Sequence, residues 1–78
     1  MTPTIDYGDD VRIVAEAPER YFPGARASAC GYRVIASERE SNAVEEPVGT
    51  ILWLVEFSDG IACEVPVQYL TKIDDHQP

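Results

Sequence analysis

Two cysteines, one histidine and three adjacent carboxylate pairs are the residues of this 78-residue chain whose types could do chemistry. A thiolate is a nucleophile, an imidazole a general base, and neighbouring carboxylates can share a proton or hold a hard cation. Each needs a partner group to act. Cys30 and Cys63 have no activating neighbour in sequence and lack the local spacing of a zinc knuckle. His76 stands close to the C-terminus, where side chains are commonly solvated. Asp9-Asp10, Glu45-Glu46 and Asp74-Asp75 do not show the regular spacing of a calcium loop and read as solvated surface charge. The expectation is a protein that is not an enzyme, with no catalytic residues, no metal and no cofactor. Both cysteines fall in strand-like stretches and read as buried free thiols of a reducing compartment; export would make a cross-strand disulfide the competing reading.

Binding residues are easier to find. Tyr21 and Phe22 sit side by side in a segment punctuated by Pro18, Pro23 and Gly24, flanked by Glu19, Arg20 and Arg26. Glu38, Glu40, Glu45 and Glu46 concentrate acid in a second polar segment, and Leu52 with Leu54 forms an apolar pair in the most hydrophobic run. Aromatic anchors beside acidic groups suit a protein with a basic surface. Tyr21 or Phe22 folding back as a lid over a small core is the alternative use of those rings. Fourteen Asp and Glu against six Lys and Arg give a formal charge of −8. That charge opposes phosphate backbones and anionic membranes, so neither nucleic acid nor a membrane is an expected partner. It also serves solubility.

These residues must be carried by a small framework. Residues 9–15 alternate after a Tyr7-Gly8 turn signal and read as a first strand with Val11, Ile13 and Ala15 inward. A loop of about ten residues follows, and residues 27–35 make a second strand in which Gly31 marks a bulge. Residues 37–47 are acidic, without apolar periodicity, and read as a mobile loop. Ile51 to Pro66 is a hairpin. A two-residue loop at Asp59-Gly60 would scatter its apolar set over both faces, whereas a three-residue loop, Ser58-Asp59-Gly60, pairs Phe57 with Ile61, Val55 with Cys63 and Trp53 with Val65. That register turns Leu52 and Leu54 to the opposite face. Val67-Gln68-Tyr69 is one tight helical turn, and Leu70-Thr71-Lys72-Ile73 a last short strand. Residues 1–8 are an N-terminal arm, 9–73 one domain, and 74–78 a flexible tail. The opening residues carry no basic start or apolar core, and no apolar run approaches the ~20 residues that span a bilayer. The expected compartment is the cytoplasm.

Gly8-Asp9-Asp10-Val11-Arg12-Ile13, Val55-Glu56-Phe57-Ser58-Asp59-Gly60 and Glu64-Val65-Pro66-Val67-Gln68-Tyr69-Leu70 stand in an order that resembles the SH3-like small barrel. The resemblance covers residues 9–73 and implies an all-β, five-stranded, strongly bent antiparallel barrel with one short 3-10 turn before the last strand. Within that class the chain is similar to immunity proteins of bacterial polymorphic toxin systems. The resemblance implies a binding protein that neutralises a toxin domain by occlusion. Residues 37–47 and the start of the chain depart from that pattern. The alternatives are an accessory module docking on a larger enzyme through Leu52 and Leu54, and an acidic inhibitor that mimics nucleic acid.

Overall fold

The computed structural model describes residues 5–73. Five strands, β1 (Asp10–Ile13), β2 (Arg26–Val34), β3 (Ile51–Glu56), β4 (Ala62–Pro66) and β5 (Leu70–Lys72), form one antiparallel sheet in the order β4-β3-β2-β1-β5. The sheet is open: β4 and β5 are its edges and do not pair with each other. The proposed tail at 74–78, with Asp74, Asp75 and His76, lies outside the described residues, as do residues 1–4 of the arm. Ile5, the first described residue, is buried in the core.

The hairpin has the register that places its apolar set on one face. Trp53 pairs with Val65 and Val55 with Cys63, while the Phe57 amide donates to the Ile61 carbonyl at 2.8 Å. Gly60 closes the three-residue loop at φ +88°, a backbone conformation that costs an L side chain about 1 kcal/mol or more. Pro66 stands opposite Leu52, where the alternation of the ladder requires no donor toward β3. In β2 the pairing with β3 slips between Ala29 and Gly31, so Cys30 is the extra residue of a bulge.

Val11, Ile13, Ala27, Ala29, Trp53, Val55, Val65 and Leu70 fill the core with Tyr21 and Ala17. Full burial of an aliphatic side chain of this kind contributes roughly 1.5–3 kcal/mol. Ala15 is exposed, against expectation, because β1 ends at Ile13 and the chain bends; Ala17 takes the buried place. The first long loop contains a 3-10 turn over Glu19–Tyr21, and a second covers Val67–Tyr69 directly before β5.

The largest correction concerns residues 37–47. They hold an α-helix, α1 (Glu38–Val44), where sequence periodicity gave a mobile loop. Ser37 caps its start by accepting from the Glu40 amide at 3.3 Å, and Glu40 reaches back to accept from the Ala36 amide at 3.3 Å. Reciprocal satisfaction of free amides nucleates a helix too short to be stable alone. The chain is therefore not purely all-β.

Candidate binding surface

The first loop separates its two aromatic residues. Tyr21 folds into the core, with its ring 5.7 Å from that of Tyr69, and its hydroxyl donates to Glu46 Oε2 at 2.9 Å. Phe22 remains 51% exposed. Its backbone adopts φ 61°, a left-handed conformation that bulky residues avoid at a cost of order 1–3 kcal/mol. This geometry sends the Phe22 ring against Phe57, edge to face at 5.3 Å. Ile61 is 57% exposed beside them. Phe22, Phe57 and Ile61, with Ala25, Arg26, Ser58 and Asp59, line a cleft of about 400 Å³. The hairpin register pairs Phe57 with Ile61, but their nearness to Phe22 depends on where the first loop lands.

The four acidic residues do not act as one free patch. Glu46 is buried, and its carboxylate takes both the Tyr21 hydroxyl and the Arg20 guanidinium at 3.1 Å. Arg20 also stacks over the Tyr21 ring, 4.7 Å from its centroid, and lies 3.9 Å from Glu45. Ser41 binds the Glu46 carbonyl, and the Glu46 amide donates back to the Ser41 carbonyl. Tyr21, Glu45 and Glu46 thus clamp the first loop to the end of α1, a structural use of residues expected to meet a partner. Glu40 is taken by Arg33 at 3.2 Å, and Arg33 also grips Glu64 through two hydrogen bonds of 2.6 and 2.9 Å. Glu38 is left exposed at the first position of the helix.

Leu52, expected at a partner contact, is instead 1% exposed and lines a recess with Tyr21 of the first loop and Ala43 and Val44 of α1. Ile35 and Pro66 are buried on the same face of the sheet. Leu54, two residues on, is 40% exposed and keeps its place as a surface residue.

The cysteines are free and separated by β3. Two strand spacings amount to roughly 9–10 Å, beyond the reach of a disulfide between fixed strands, about 7 Å between α-carbons. Burial, together with the charge of Glu64, pushes the Cys63 thiol up, away from the thiolate form. Among the described residues no three His, Cys, Asp or Glu side chains gather as metal ligands, and no helix is long and apolar enough to cross a membrane.

The Arg33 hydrogen bonds hold the Glu64 carboxyl below its ordinary value. A folded-state value below the unfolded one stabilises above the unfolded pKa and is lost as pH falls through the folded value. Glu64→Gln should therefore be less stable than the wild type at pH 7, with the difference shrinking below about pH 4.5, the ordinary carboxyl value. Urea titrations across pH 3–7 measure it; a constant difference would detach Glu64 from the pH dependence.

Comparison with protein-family models, curated proteins and solved structures gives no match.

Proposed function

We propose that this protein is a non-enzymatic binding module of the SH3-like barrel type that neutralises a basic protein, in the manner of toxin-immunity proteins, by covering its working surface. Three features support the barrel reading: the strand order, the 3-10 turn placed directly before β5, and the first loop lying along β4 with the Arg20 carbonyl 4.0 Å from Cys63 Sγ. The binding reading rests on Phe22. A bulky ring held half-exposed in an unfavourable backbone conformation, beside an apolar cleft, is what an interface anchor requires. The charge of −8 supplies attraction to a basic partner and faster association at low salt. The ion pairs of Arg20 and Arg33 with Glu45, Glu46, Glu40 and Glu64 break up any row of free carboxylates, which weighs against nucleic-acid mimicry. Burial of Leu52 removes half of the apolar pair on which docking to a larger enzyme would depend.

Affinity capture with the purified products of the adjacent genes tests the reading. A basic product should bind at micromolar concentration or tighter, and Phe22→Ala should weaken it at least tenfold while the circular dichroism spectrum is unchanged. Failure of both neighbouring products to bind at micromolar concentration would overturn the immunity reading. Full affinity in Phe22→Ala would move the contact away from the cleft.

A further inference from the structure

The second strand carries an edge that no described strand pairs. β1 pairs with β2 only through Arg26, Ala27 and Ser28, and one more residue is satisfied when Ala29 bonds Asp9 and Gly8. At Gly8 the chain turns away at φ +88°. β2 continues to Val34, pairing with β3 on its other side alone. The Ile35 amide donates to the Thr50 carbonyl at 2.9 Å, which fixes the alternation of the ladder: Gly31 and Arg33 bond inward to β3, and Tyr32 and Val34 turn their amides and carbonyls outward. Among the described residues no strand meets them.

Among the described residues this edge lacks the usual protections. Exposed edges are commonly blunted by proline, lysine, extreme shortness or a covering loop. β4 has Pro66 at an outward-facing position and the first loop beside it, and β5 is three residues long. From Gly31 to Val34 the described residues supply no such device, since Arg33 is drawn to the far face by Glu64 and Glu40. The side chains beside the edge are apolar and accessible. Tyr32 is 65% exposed, stacked 5.1 Å from Trp53, and Val34 is 46% exposed opposite Ile51.

We propose that the outward edge of β2 from Gly31 to Val34 receives an extended segment of a basic protein as an added strand, continuing the line of β1. Only an extended backbone satisfies donors and acceptors at alternate residues of an edge, and the apolar Tyr32-Val34 face would take every second side chain of the guest. The net charge of −8 on each chain disfavours a second copy as occupant and favours a basic one. The proposal rests on the binding reading above only for the basic character of the partner.

The test is amide exchange of the full chain by NMR, alone and with a blocked decapeptide alternating Lys and Val. The peptide should slow the Tyr32 and Val34 amides at least tenfold and leave that of Arg33, already bonded to β3, unchanged. Val34→Pro removes one outward donor and should weaken the peptide at least tenfold, whereas Val34→Thr should bind as the wild type does. The wild-type exchange pattern decides the matter even if the proline variant does not fold. Slow exchange of Tyr32 and Val34 in the free monomer would overturn the proposal, as would their protection by self-association. Equal binding of an alternating Glu and Val peptide would remove the basic partner. Capture of a basic neighbour with both amides unchanged would overturn the added strand and leave the binding function standing.

Discussion

Leu52→Ala should lower the stability of the fold by about 2–5 kcal/mol, the range for truncating a fully buried leucine that leaves a cavity. Leu52 is 1% exposed and sits between the sheet and the helix α1. No residue of that helix is itself buried, so it has nothing to press into the space left behind. At roughly 4–8 °C per kcal/mol for a domain of this size, the melting temperature should fall by at least about 8 °C. Leu54→Ala, on the same strand face but 40% exposed, should stay within about 0.5 kcal/mol. Thermal and urea denaturation of the two variants side by side measure the contrast. A loss below about 1 kcal/mol in Leu52→Ala would mean that the helix does not bear on the sheet.

The clamp at Glu46 gives the second large effect. Tyr21→Phe should destabilise by about 1–3 kcal/mol, because it strips a donor from a buried carboxylate and leaves the carboxylate in place. Removing the acceptor as well changes the sign of the next step. In the Tyr21→Phe background, Glu46→Leu should recover part of the loss, since an apolar pair of similar shape avoids the unmet desolvation of the carboxylate. A double variant that loses the full sum of the two single effects would show that Tyr21 and Glu46 act independently. A double-mutant cycle in urea measures the coupling.

The hairpin was legible because burial of one face selects a single register, and only the loop Ser58-Asp59-Gly60 keeps Trp53, Val55, Cys63 and Val65 together. Gly31 announced the bulge for a similarly local reason. The helix at 38–44 escaped because seven residues give too little length for periodicity to register. Its signal was at the boundary instead, in Ser37 followed three residues later by Glu40, the pattern of a reciprocal cap. Missing the helix made Leu52 look exposed and the acidic residues look free. The partners of Glu46 lie 25 and 26 positions away in sequence, and no local pattern tells a buried, clamped glutamate from a solvated one. The cleft was hidden for the same reason, since Phe22 meets Phe57 across two loops.

On the proposed binding role, Phe22 places conformational stability and recognition in opposition at one position. Selection for thermal tolerance alone would favour glycine there, which takes up φ 61° without strain, and would erase the aromatic ring in doing so. A lineage that keeps the ring accepts a less stable fold in every molecule that has no partner. On that proposal, an aromatic is expected at this site across related chains, and glycine or asparagine there would count against a binding role for the cleft.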